Sequence, residues 1–187
     1  VVTIDRGRIT CALSANPDTE VVAVKARELG RKAVTVGDDV GLVGDLSGRP
    51  DTLARLVRID PRRTELRRTA DDSDPYERII VANVDQMGIV VAVADPPPRI
   101  GLIDRCLVAA YDARVDPLLV LTKVDLGDPA ELLAAYRDLD VEAVAVTRGG
   151  SLDELTAHLR DRVSVFVGHS GVGKSTLVNA LIPDAAR

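Results

Sequence analysis

Near the carboxyl end of this 187-residue chain, a few residue types at fixed spacing point to phosphate chemistry. In VFVGHSGVGKSTLVNAL, residues 165–181, Gly168 is followed after four residues by Gly173, Lys174 and Ser175, matching G-x-x-x-x-G-K-[ST]. Glycines at 168, 171 and 173 let the backbone turn with positive φ, so that consecutive N–H groups can face phosphate oxygens. The helix that follows adds its positive end. In this reading Gly168, His169, Ser170, Gly171, Val172, Gly173, Lys174, Ser175 and Thr176 form the phosphate cradle. Lys174 reaches the β- and γ-phosphates, and the Ser175 hydroxyl is the protein's ligand to Mg²⁺, an ion that prefers oxygen and keeps most of its waters.

The base is read from PLLVLTKVDLGDP, residues 117–129. Thr122, Lys123, Val124 and Asp125 end an apolar run of strand length, and ligands of open parallel sheets bind beyond the carboxyl ends of their strands. The four residues resemble the [N/T]KxD motif with which GTPases read guanine. The Asp125 carboxylate offers two acceptors to N1–H and the 2-amino group, neither of which adenine has. Lys123 can lay its aliphatic stem over the base plane, while Thr122 stands where most GTPases carry Asn. Here Asp125 precedes Lys174, the reverse of the ordinary GTPase order, so the domain reads as circularly permuted. A compact domain with neighbouring termini tolerates such rejoining.

Elements must place these motifs side by side. Apolar spacing predicts strands at 89–94, 118–121, 141–146 and 163–167, alternating with helices at 101–114, 129–139, 151–160 and 176–181. This alternation implies parallel βαβ units, hence an α/β domain built on a doubly wound parallel sheet. Residues 1–70 instead show short alternating runs at 8–13, 21–26, 40–43 and 53–59, broken at Asn16-Pro17, Gly37-Asp38 and Gly48-Arg49-Pro50, the pattern of a small all-β barrel. Residues 71–80, polar and acidic around Pro75, read as a linker, leaving 81–187 as the nucleotide domain.

With both motifs located, the chain resembles the RsgA/YjeQ family of ribosome-small-subunit-dependent, circularly permuted GTPases. The matching stretches are VGDDV at 36–40, ANVDQ at 82–86, DRCL at 104–107, TKVDL at 122–126, LDEL at 152–155 and the loop at 168–181. The resemblance implies an N-terminal OB-fold, Mg²⁺-dependent GTP hydrolysis stimulated by the small ribosomal subunit, binding of GTP and GDP, and a part in late maturation of that subunit and its rRNA. It implies Thr147 and Arg148 as the second base-contacting segment, where the family usually has Ser or Ala. The family pattern also continues past the loop into switch segments, a DxxG motif and a zinc-binding tail. The natural protein is therefore expected to run beyond Arg187, with the catalytic water-positioning group and the zinc outside residues 1–187.

Composition fits the class. The chain is 46% hydrophobic and 28% charged, with no Trp and one Phe, so its core must be Val, Leu, Ile and Ala. Two separated cysteines, Cys11 and Cys106, read as reduced packing thiols of a cytoplasmic monomer, with no membrane segment expected. A net charge of −5 provides no global attraction for nucleic acid. Locally, Arg55, Arg58, Arg62, Arg63, Arg67 and Arg68 outweigh Asp60 and Glu65 and are the candidate rRNA contacts. From the residues alone two other functions stay open: a P-loop ATPase or kinase, and a guanine-nucleotide sensor that does not hydrolyse.

Overall fold

The structure, a computed structural model, describes residues 1–30, 33–68 and 78–182. The chain divides into two units, Val1–Asn83 and Val84–Arg187.

The first unit is all-β. Strands β1 (Thr3–Asp5), β2 (Arg8–Leu13), β3 (Asn16–Lys25), β4 (Val40–Gly44) and β5 (Ala54–Ile59) form one sheet in the order β1-β2-β3-β5-β4. Only β3 and β5 run parallel in it, a crossing compatible with the partly open Greek-key barrel expected of an OB-fold. Alternate residues Ile9, Cys11, Val21, Ala23, Ala54 and Leu56 turn inward as its core. Burial raises the pKa of the Cys11 thiol, as the packing role predicts. Asn16-Pro17, expected to be a turn, instead opens β3. The ladder steps from Leu13↔Asn16 to Ala12↔Glu20, so Pro17 lies in a bulge where its missing N–H costs no bond.

A second pair in this unit, β6 (Glu65–Arg68) with β7 (Arg78–Ala82), was not foreseen. Of the expected linker 71–80, residues 71–77 lie outside the described residues and 78–80 belong to β7. Asn83 closes the unit. Its left-handed backbone (φ 55°) suits Asn, its Oδ1 accepts the Arg63 N–H at 2.8 Å, and its Nδ2 donates to the Gly37 carbonyl at 2.9 Å.

The second unit is a parallel four-stranded sheet in the order β10-β9-β8-β11, comprising β8 (Gln86–Ala92), β9 (Asp116–Thr122), β10 (Glu142–Val146) and β11 (Ser164–Val167). Four helices connect and follow them: α1 (Ile100–Asp112), α2 (Ala130–Tyr136), α3 (Asp153–Leu159) and α4 (Lys174–Leu181). Strand parity sorts the faces. Val90, Ala92, Leu118, Val120, Val144 and Val146 pack with Leu155 of α3 and Leu177 of α4. The opposite parity, Ile89, Val91, Leu119 and Leu121, is buried too, and α1, with Ile103, Leu107 and Ala110 inward, packs on β8 and β9. The sheet is thus covered on both sides, and β8 is buried along its whole length.

Boundaries moved for local reasons. Strand β8 stops at Ala92, ahead of Pro96-Pro97-Pro98, whose nitrogens cannot donate to a ladder. Helix α2 gives way after Tyr136 to a 3₁₀ turn ended by left-handed Asp140 (φ 51°). Tyr136 itself ties α2 to α1, its hydroxyl donating to Asp104 Oδ1 at 2.8 Å.

Two stability predictions follow from buried polar groups. Asp38 has a fully buried side chain, and Arg62, 14% exposed, clasps it with Nε–Oδ1 at 2.6 Å and Nη2–Oδ2 at 3.0 Å while also bonding Glu65 and the Ala33 carbonyl. Arg62→Ala strands that carboxylate and should lower stability by about 3 kcal/mol. Urea unfolding measures this, and Arg62→Lys should recover only part because it lacks the planar fork. Burial, then the hydrogen bond and charge of Asp104, push Tyr136 up to about 12. Its neutral form is favoured by the fold, so this contribution is complete below pH ~10 and lost as pH rises toward 12. An ultraviolet titration should show one of the three tyrosines ionising late, and Tyr136→Phe should abolish that late step.

Candidate nucleotide site

The site is assembled at the carboxyl ends of β8, β9, β10 and β11. Strand β11 enters through the ANVDQ segment: Asp85 Oδ2 accepts the Val163 N–H at 2.9 Å, the Asp85 N–H donates to the Val163 carbonyl at 2.8 Å, and Ser164 Oγ lies 3.3 Å from Gln86 Oε1. Parallel pairing then sets Phe166 beside Gly88. A Cβ on Gly88 would come within 2.5 Å of the Phe166 ring, so only glycine admits this aromatic.

The loop leaves β11 at Gly168, whose φ of 154° and close passage by the Val90 carbonyl, 2.4 Å from where a Cβ would stand, exclude any side chain. Gly171 and Gly173 also take positive φ, and Gly173 caps α4. Lys174 Nζ donates to the carbonyls of Gly168 and His169, both at 2.7 Å, which curls the ammonium over the loop's own concavity. Ser170, Gly171, Ser175 and Thr176 are exposed, and Val172 is buried beneath them. The N–H groups of the first turn of α4 and the Ser175 hydroxyl lie with the Lys174 ammonium at one helix start, a donor set suited to phosphate with a hard cation. His169 faces the other way, toward Pro97, Pro98, Arg99, Leu102 and Ile103. Its Nδ1 is buried without a hydrogen-bond partner.

Thr122 supplies the joint between the two motifs. Buried at the end of β9, its hydroxyl donates to the Val172 carbonyl in the loop at 2.6 Å. Lys123, with left-handed φ of 57°, sends Nζ to the Asp95 carbonyl just after β8. A cavity of about 360 Å³ opens beside them. Thr122 and Lys123, the Thr147–Gly150 turn, and Gly171, Gly173 and Thr176 with the first turns of α4 form its walls. Thr147 and Arg148 thus adjoin the loop from a separate strand. Val124 is half-buried, whereas Asp125 is exposed and does not line the cavity. Sequence reasoning missed Gly149, Gly150 and Asp95. The Gly-Gly pair directly after a strand was an available signal, because a Cβ at Gly150 would stand 2.2 Å from Thr147 Oγ1. Asp95 acts through its carbonyl, which no residue type announces.

The candidate arginines meet different fates. Arg62 is spent on Asp38, Arg58 pairs with Asp60 at 2.5 Å, and Arg67 pairs with Glu65 at 2.8 Å. Arg63 donates to the Asn83 carbonyl at 3.3 Å, Arg55 is exposed, and the Arg68 side chain lies outside the described residues. Among the described residues no cluster of His, Cys, Asp and Glu suits a metal held by side chains alone, and no helix is long and apolar enough to cross a membrane.

Residues 59–187 match the RsgA GTPase family model. A small ribosomal subunit biogenesis GTPase RsgA from Chlorobaculum tepidum is 40% identical over 162 residues, covering 82% of this chain and 52% of that protein. One of the same description from Pseudomonas fluorescens is 48% identical over 160 residues, covering 81% and 45%. Among solved structures, YjeQ from Thermotoga maritima superposes with a TM-score of 0.75 at 26% identity, over 99% of this chain and 64% of that one. YloQ, described as a circularly permuted GTPase, gives 0.72 at 26% identity over 98% and 63%. The chain spans about half the length of these curated relatives. A glycine-rich loop that follows the TKVD strand end along the chain, on a parallel sheet preceded by a β unit, and a family match over most of the sequence lead to one conclusion: this chain belongs to the RsgA GTPase family.

Proposed function

We propose that the protein binds GTP and GDP at the cavity between β9, β10 and the 168–176 loop, hydrolyses GTP with Mg²⁺, and uses that cycle in maturation of the small ribosomal subunit. The observation that carries this reading is the Thr122–Val172 hydrogen bond, which joins a base-reading strand end to a phosphate loop across one cavity. Lys174 and the loop N–H groups would hold the phosphates, and the Ser175 hydroxyl would hold Mg²⁺. That cation would neutralise charge developing on the transferred phosphoryl group. Asp125 reads the guanine edge, with Lys123 along the base plane and the Thr147-Arg148 turn supplying backbone donors. Asp125 is exposed at the end of β9 and lies outside the cavity walls, so its carboxylate must turn toward the base edge to read it. The unit Val1–Asn83 serves as the rRNA-contacting module in the cytoplasm, and Val84–Arg187 carries the nucleotide.

The relatives' names describe biogenesis of the small ribosomal subunit, which directs the main test. GTP turnover by the full-length protein should rise when purified small subunits are added and should not rise with ATP as substrate; turnover indifferent to subunits would overturn the reading. A second expectation concerns the joint. Thr122→Val keeps the shape and removes the donor, leaving the Val172 carbonyl unsatisfied, at a cost of about 1–3 kcal/mol. GDP affinity measured by calorimetry should fall by about tenfold or more, whereas Thr122→Ser, which keeps the hydroxyl, should stay near the unaltered value.

A further inference from the structure

The cavity beside the 168–176 loop carries an uncommitted cation. Among the described residues its walls include two ionisable side chains, Lys123 and Arg148, and no carboxylate. Lys123 gives its Nζ to the Asp95 carbonyl, whereas the exposed Arg148 guanidinium has neither a hydrogen bond nor an ion pair among the described residues. The backbone nonetheless fixes where Arg148 stands. The Gly150 N–H donates to the Thr147 carbonyl at 3.1 Å and Gly149 takes φ 74°, the geometry of a type II turn with Arg148 at the first central position. That turn follows β10 directly, and β10 pairs with β9 so that Val146 stands opposite Thr122. Lys123 and Arg148 therefore come from neighbouring strand ends to line one cavity.

Flatness is the second observation. A nucleotide base offers its partner a π face, yet among the described residues no aromatic side chain lines this cavity in a chain with one Phe and three Tyr. Its apolar wall is aliphatic, built from Val146, Leu152, Leu177 and Ala180. The guanidinium of Arg148 is the planar side-chain group at the cavity. We propose that this guanidinium stacks on the face of the bound purine and retains it, a side-chain role separate from edge reading by Asp125 and from the backbone donors of the turn. The proposal rests on the guanine-nucleotide reading above. A guanidinium is delocalised and weakly hydrated, so it lies on an aromatic face at little desolvation cost, whereas a lysine ammonium is a hydrated point charge without a plane. The base is favoured over the phosphates as its partner because Lys174 already sits over the loop's concavity, while Arg148 shares its wall with Thr122 and Lys123.

Calorimetric titration of the full-length protein with GDP, GTP and inosine diphosphate tests this. Arg148→Ala should weaken GDP binding about five- to tenfold, the scale of a cation or ring stacked on a base. GTP and inosine diphosphate should lose the same factor, because neither a third phosphate nor a missing 2-amino group alters the stacked face. Arg148→Tyr, which keeps a plane without the charge, should recover most of the loss, and Arg148→Lys, which keeps the charge without a plane, should not. Thermal melts of all three variants should match the unaltered protein, since the side chain is exposed. Unchanged GDP affinity in Arg148→Ala would overturn the stack and leave the guanine-nucleotide reading standing. Rescue by Lys in place of Tyr, with a loss that grows from GDP to GTP, would overturn it in favour of a phosphate contact. Failure of the unaltered protein to bind GDP would overturn the nucleotide reading and the stack together.

Discussion

The parallel pairing of β11 with β8 is the constraint on which the candidate nucleotide site depends. Its register sets Phe166 against Gly88 and carries Gly168 past the Val90 carbonyl, so the loop leaves the sheet in one direction only. A shift of one residue would put each side chain on the other face and bring a side chain where the backbone admits none. The ANVDQ segment enforces the register from below, with Asp85 and Gln86 bonded to Val163 and Ser164.

Given that register, the remaining geometry is a matter of shared strand ends. Strand β9, next to β8 on its other side, delivers the Thr122 hydroxyl to the loop, and β10 brings the Thr147–Gly150 turn to the far wall. Circular permutation changes the order in which these pieces arrive along the chain but not their neighbours, because the sheet is held by pairing in space. The hydrogen bond from Thr122 also accounts for a residue shorter than Asn at this place, since a buried hydroxyl 2.6 Å from its acceptor needs no longer reach.

The β unit is organised by a different economy. Several of its charged residues satisfy one another: Asp38 with Arg62, Asp60 with Arg58, Glu65 with Arg67. Burying Asp38 required a cation, and Arg62 provides a two-pronged one, which removes it from the surface available to a partner. Among the described residues, Arg8 and Arg55 stay exposed on the sheet's outer face, on different strands with Val24 between them.

Much of this molecule was legible in its sequence because the relevant rules are local. A loop of G-x-x-x-x-G-K-S works through its own backbone and the helix it starts, and apolar runs marked every strand of the parallel sheet to within a few residues. The TKVD strand end and its permuted order relative to the loop needed nothing beyond position along the chain. Pairing decided the rest, and pairing is not local. The β6–β7 strands, the Asp95 carbonyl beneath Lys123, the exposure of Asp125 and the Thr122 joint all depend on which strand lies beside which. So does the division of the arginines. A run rich in arginine looks cationic whether its members are free or paired, and Arg8 and Arg55, far apart in sequence, become neighbours on one face only through the register of β2, β3 and β5.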